Sequence, residues 1–456
     1  MTSLWIRNPL ACWTGTDQPA ENGLVIRDGR ITELVALGET PKTEYQSSFD
    51  ASAHVLLPGL INCHHHFYQT LTRALPTALN KPLFPWLQAL YPVWANLNDE
   101  AIYASTQLAL SELLLSGCTT AADHHYVFST IMPHAIDVQV EAAQTMGNRV
   151  TLTRGSMSLG QAAGGLPPDS VVESDNRILK ESARLLRAYH NPAHSSLCQI
   201  ALAPCSPFSV TPELMQESLA LAERDDVLLH THLCETQEEN EFCLKTFGER
   251  PLDYLEKVGW LNERVWLAHG IHFNETEVVR LGQSHTGVCH CPSSNMVLAS
   301  GTCRTRHLQR AGVRVGLGVD GSASNDGSNM IQEARQAMLT QKLQYGADRF
   351  SHLDALQMAT RGGAEVLRRP ELGTLAVGQQ ADLALFSLDE PRFSGHGDPV
   401  AALLLCGAHR ADYVMVGGQW KVKGGELVDN DIKQIMTRHS EAAKRLHDEY
   451  NRLWHG

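Results

Sequence analysis

The sequence predicts an α/β chain: a (β/α)8 TIM-like barrel with a small discontinuous β-sandwich domain formed by both termini. Three observations predict it. Between about residues 58 and 368, eight short apolar runs alternate with helix-patterned stretches, which is the strand count of a (β/α)8 barrel. Both ends of the chain instead carry short β-rich runs punctuated by glycines. Ionisable residues recur where the apolar runs end, and that end of the strands is where such barrels do chemistry.

The N-terminal β region includes "LVIRDGRITELV" (24–35), two runs around Asp28-Gly29 that signal a hairpin. The eight barrel runs are "HVLLPGL", "TTAADHH", "RVTLTRG", "CQIALAP", "DVLLHTH", "RVWLAHG", "GVCHC" and "VRVGLGVD". Between them, helical patterning covers 99–116, 175–189, 211–224, 275–282 and 329–345. Thr211-Pro212 is a helix start, with a capping hydroxyl followed by a proline preset to helical φ. After Arg369, "GTLAVGQQADLALFSL" and "ADYVMVGGQWKVKGGELV" return to β patterning, and 429–454 reads as a helix with one charged face. The expected organisation is therefore a β domain from 1–57 and 369–428, a catalytic barrel over 58–368, and a C-terminal helix within 429–456.

Composition narrows the function. The 456 residues carry 37 Lys and Arg against 50 Asp and Glu, a net charge of −13. That balance argues against wrapping nucleic acid or binding an anionic membrane, both of which need clustered cations. No apolar run approaches the ~18 residues of a membrane span, and the first residues lack a signal-peptide pattern. The 11 cysteines are odd in number, scattered and without a C-x-x-C pair. They read as reduced thiols of a cytoplasmic protein. The 22 histidines invite a metal search.

Candidate metal ligands cluster at the strand ends. The first run leads into His64, His65 and His66, the fifth into His230, His232 and Glu235, the sixth into His269 and His272, and the eighth into Asp320. Residues two apart on a strand share a face, so His64 and His66 point together into the barrel mouth while His65 points away. Three imidazoles, His64, His66 and His232, with the Asp320 carboxylate make a donor set for one divalent first-row metal. Zinc is the default, and Fe2+ or Mn2+ suits the same donors. His230, deeper in its strand, and His272, already in a turn, read as scaffold, as do His124 and His125.

These motifs, PGLINxHxH, HxxE, AH and DGSASN, resemble the amidohydrolase superfamily over essentially the whole chain. His232 with Glu235, and Asp320 followed by Gly-Ser-Ala-Ser-Asn, look like its mononuclear-metal aminohydrolase branch. The longer strings "GGLPPDSVVE" and "APCSPFSV" look like the 8-oxoguanine deaminase subgroup. A second metal in this superfamily would want a bridging lysine after the fourth strand. "ALAPCSPF" offers none, so one metal per chain is expected.

The resemblance implies hydrolytic deamination of an amino-substituted purine base, 8-oxoguanine giving urate and ammonia, with guanine or isocytosine as lesser substrates. Glu235 would carry a proton from the attacking water to a ring nitrogen, His269 would hydrogen-bond the attacking oxygen, and Asp320 would shuttle a proton to the leaving amine. Gln69, Trp94, Arg154 and Cys205 are the candidate substrate contacts. Trp94 stands where nucleoside-processing relatives carry a ribose-binding acid, and Cys205 where they carry a His, which suits a flat base. Asn295 and Ser324 are expected to order the loops near Asp320, and Trp86 to be core. A homo-oligomer is expected. The competing readings are a triazine or other amino-heterocycle hydrolase, and a non-catalytic barrel scaffold.

Overall fold

In the computed structural model, which describes residues 3–129 and 131–454, the first apolar run divides at Gly59. His54–Pro58 is a strand of a terminal sheet, and only Leu60–Asn62 enters the barrel. Gly59 makes this crossing possible because a Cβ there would sit 2.2 Å from the Thr119 hydroxyl. The sequence counts this run among the eight barrel strands even though the expected domain boundary, 57/58, falls inside it. Continuous hydrophobicity is the reason, since a strand buried in a sandwich and one buried in a barrel have the same apolar signature.

The barrel closes in chain order. Its strands are Leu60–Asn62, Cys118–His125, Arg149–Ser156, Cys198–Pro204, Leu229–Leu233, Val265–His269, Gly287–His290 and Arg314–Leu317. Every neighbouring pair is parallel, and the eighth strand pairs the first through Leu317 and Asn62. Helices fill the crossovers. Asn98 caps Asp99–Leu115 by accepting from the Ala101 amide, and Thr211 caps Pro212–Asp225 by accepting from Leu214.

Strands from both ends of the chain form two further sheets of four and six strands. The four-stranded sheet contains the hairpin Gly23–Arg27 and Arg30–Leu34, whose turn residues Asp28 and Gly29 both have positive φ. Ile6, Leu24 and Ile26 of this sheet share one core with Leu56, Leu383, Leu385 and Met415 of the other, so the two sheets pack as a sandwich. Ile432–Trp454 packs against Asp99–Leu115 and the turn Phe67–Thr72, where His439 meets the Thr70 hydroxyl at 3.0 Å and His447 the Leu71 carbonyl at 2.9 Å. No helix of the described residues is long and apolar enough to cross a membrane, and all eleven cysteines are unpaired.

A buried ion pair joins barrel to sandwich. Arg149 at the start of the third barrel strand donates to both Asp382 oxygens, at 2.7 and 3.1 Å, and to Gln380 Oε1 at 3.0 Å. Both charges are almost fully buried. Asp382→Ala would strand the guanidinium, and a loss of about 3–5 kcal/mol is expected. Denaturant unfolding would measure it, and a loss below about 1 kcal/mol, typical of a surface pair, would contradict the assignment.

Candidate metal centre and active site

The barrel's C-terminal mouth gathers residues from strands one, five, six and eight. Asp320 is positioned by hydrogen bonds in the turn: its amide donates to the His64 carbonyl at 3.0 Å, and Asn62 Oδ1 accepts from the Val319 amide at 2.9 Å. Its own Oδ1 accepts from the Gly321 amide at 2.7 Å. Asp320 and His269 both have positive φ, at 62° and 72°. Such conformations cost a non-glycine residue energy, and their clustering here marks a site the surrounding fold holds in place.

The donor atoms converge. His64 Nε2 and His66 Nε2 each lie 3.2 Å from Asp320 Oδ1, and His66 Nε2 lies 3.3 Å from His232 Nε2. The opposite ring nitrogens show which way these rings point their lone pairs. His66 Nδ1 is 2.6 Å from the His124 carbonyl and His232 Nδ1 is 2.7 Å from the Cys205 carbonyl. A carbonyl only accepts, so Nδ1 carries the proton and Nε2 presents a lone pair. His64 Nε2 has no hydrogen-bond partner although it is fully buried. Lone pairs facing one another and a carboxylate repel unless a cation lies between them, so the donor set fits a divalent metal. Burial holds His64 and His232 well below the ordinary histidine value, in the neutral form that presents a lone pair.

Beside the donors, His269 Nε2 lies 3.4 Å from Glu235 Oε2 and 3.8 Å from Asp320 Oδ2, and its Nδ1 meets Asn295 Oδ1 at 2.9 Å. Burial opposes charge on His269, but the two carboxylates outweigh it and raise its pKa. Burial raises Glu235, with only partial relief from His269. The Glu235 backbone is held in turn by Glu239, whose carboxylate accepts from the Cys234 and Glu235 amides at 3.0 and 2.9 Å.

A tight cavity of about 30 Å3 sits over these groups. Gln69 and Cys205 line it, with Leu83, Trp86, Tyr91, Tyr126, Phe208 and Leu298 supplying the apolar wall. Both amide atoms of Gln69 are buried without a partner. Gly321 leaves room for that amide, since a Cβ there would sit 1.8 Å from Gln69 Oε1.

A solved atrazine chlorohydrolase from Arthrobacter aurescens TC1, complexed with zinc, superposes with a TM-score of 0.91 at 31% identity, covering 97% of this chain and 100% of that one. The amidohydrolase family model matches residues 55–421. The chain belongs to the amidohydrolase family. It is 58% identical to an 8-oxoguanine deaminase of Pseudomonas aeruginosa over 98% of this chain and 99% of that protein. It is 37% identical to a hydroxydechloroatrazine ethylaminohydrolase of Pseudomonas sp. strain ADP, over 90% and 88%.

Two expected contacts of this amidohydrolase need correction. Trp94 does not reach the cavity: it is fully buried among Tyr68, Trp86 and Tyr91, and its Nε1 donates to the Thr72 hydroxyl at 3.2 Å. Trp86, read as core, lines the cavity in its place. Arg154 is also absent from the lining. Its guanidinium lies 3.8 Å from the centre of the Phe128 ring and pairs with Glu173 at 2.6 Å. A strand residue's side is readable from alternation, but its height above the barrel floor is not.

Sequence reasoning also set aside His124 and His230, and both belong to the cluster. The His124 ring stacks on His232 at 4.8 Å, and His230 Nε2 lies 2.7 Å from His64 Nδ1. The H-x-H spacing of His230 and His232 was the available signal for one of them. Thr236 and Glu239 form a T-x-x-E pattern at a helix start, which was the signal for Glu239.

Proposed function

We propose that this amidohydrolase is a metal-dependent deaminase of an amino-substituted purine base, converting 8-oxoguanine and water to urate and ammonia. The observation that carries this reading is one cavity lined by His66, His232, Asp320, Glu235 and the unpartnered Gln69 amide, with His64 Nε2 buried 3.2 Å behind Asp320. The near-full-length similarity to an 8-oxoguanine deaminase supports the substrate.

His64, His66, His232 and Asp320 would hold one divalent ion, zinc being favoured by the zinc-bound neighbour. Such an ion supplies Lewis acidity and lowers the pKa of bound water toward about 7. Glu235 takes a proton from the attacking water and delivers it to the adjacent ring nitrogen, which lets the amino-bearing carbon become tetrahedral. His269, kept in orientation by Asn295, hydrogen-bonds the attacking oxygen. Asp320 takes the second proton of the attacking water from the new C–OH group and passes it to the departing amine, so that oxygen becomes the ring carbonyl as the C–N bond breaks and ammonia leaves. Gln69, with a donor and an acceptor free, reads the lactam edge, and Cys205 packs beside the ring. The cavity is too tight for a purine with its wall as it stands, so Leu83, Trp86 and Leu298 must give way on binding. The unpaired, mostly buried thiols support work in a reducing, cytoplasmic compartment.

Ammonia release tests the reading on a panel of 8-oxoguanine, guanine, isocytosine, cytosine, hydroxytriazines and S-adenosylhomocysteine. 8-Oxoguanine is expected to turn over with the highest kcat/KM. The likeness to a hydroxydechloroatrazine ethylaminohydrolase favours the rival reading, and a hydroxytriazine outperforming every purine would establish it. No turnover of any member by zinc-loaded protein would favour the scaffold reading.

A further inference from the structure

The three imidazoles assigned to the metal do not receive their orientation in the same way. His66 and His232 each donate Nδ1–H directly to a backbone carbonyl. His64 Nδ1 instead meets another side chain, His230 Nε2, at 2.7 Å. His230 Nδ1 in turn lies 2.8 Å from the Trp266 carbonyl. That oxygen only accepts, so His230 carries its proton on Nδ1 and offers a lone pair at Nε2. The His64 proton must then sit on Nδ1, which leaves its Nε2 lone pair for the metal.

Trp266 completes the arrangement. Its indole stacks on the His230 ring, with centroids 4.2 Å apart and planes 11° apart, and its Nε1 donates to the carbonyl of Cys63 at 3.0 Å. One strand-six residue therefore fixes both the partner of the His64 ring and the backbone just before it. Strands one and five stand apart in the barrel order, so the contact runs across the interior. Both residues are fully buried, and water cannot take over the hydrogen bond.

We propose that His230, braced by Trp266, is a positioning residue that sets the tautomer of His64 before any metal arrives. This rests on the reading of His64 as a ligand. The alternative tautomer would place a proton on His64 Nε2, pointing at Asp320 and blocking coordination. Partners of ligating histidines commonly change metal affinity 10–100-fold when removed.

The test compares His230→Met, which fills the space without an acceptor, with His230→Gln, whose amide oxygen can accept at the Nε2 position. Zinc affinity is read by chelator competition, and stability by thermal melting of the metal-free chains. Expected are a 10–100-fold weaker zinc affinity for H230M, near wild-type affinity for H230Q, and similar melting for both. Equal affinity of H230M and wild type, or equal loss in both variants, would overturn the proposal. If H230M does not fold, 15N-histidine NMR of the metal-free wild type decides, with the His64 signal assigned by its loss in His64→Gln. A proton on Nδ1 supports the proposal and a proton on Nε2 overturns it. A wild-type chain that binds no zinc would refute the metal reading and this inference with it, whereas normal wild-type binding with an indifferent H230M refutes the inference alone.

Discussion

Glu235→Gln is expected to lower kcat by about 10²–10⁴-fold, the range for removing a general acid–base, while leaving metal content unchanged. The side chain lies 3.4 Å from His269 but outside the donor set, so an amide in its place costs the metal no ligand. Gln keeps the length and can still accept the 3.4 Å hydrogen bond from the Ser300 hydroxyl. Glu239 continues to hold the backbone amide. What disappears is a group able to take a proton and return it. Metal analysis beside ammonia release checks both halves. Near-normal turnover would remove Glu235 from proton transfer, and loss of metal would make it a ligand.

Asp320→Asn is expected to lose both metal affinity and turnover, the latter by at least about 10³-fold. This exchange isolates charge from shape. Asn enters positive φ more readily than most residues, so the 62° backbone is retained. The side-chain oxygen can still accept from the Gly321 amide. The negative charge between His64 and His66 is gone, and with it the proton shuttle to the amine. Excess zinc should refill the site without restoring the rate, because proton transfer is lost as well. Full recovery with zinc would reduce Asp320 to a ligand only, and unchanged zinc affinity would remove it from the donor set. The two variants are separated by metal content: retained in E235Q, weakened in D320N.

Much of the molecule was readable in one dimension. The barrel came from counting apolar runs, because a strand buried on both faces must be continuously hydrophobic. The hairpin at Asp28-Gly29 and the capped start at Thr211-Pro212 were readable because φ preference and capping are properties of neighbours in the chain. Counting the first run as one strand hides a division at a single glycine, required by the close approach of Thr119, where the chain passes between two cores with the same apolar signature.

The candidate site divides along the same line. His64, His66, His232, Glu235, His269 and Asp320 were visible because strand ends mark the mouth of a barrel and alternation tells which side a residue faces. The sequence pattern puts Trp94 and Arg154 among the candidate substrate contacts, yet the fold buries one behind Trp86 and commits the other to Glu173. His230 and His124 were set aside as scaffold, yet they lie within hydrogen-bond or stacking distance of the ligand set. Spacing and periodicity, which are local, were enough for the fold class and for the candidate donors His64, His66, His232 and Asp320, while the proton-carrying role proposed for Glu235 came from the family resemblance. Which side chains reach the cavity, and which nitrogen of each ring presents its lone pair to the shared donor cluster, became readable in three dimensions alone. Those depend on carbonyls, rings and wall residues contributed by strands far apart in the chain.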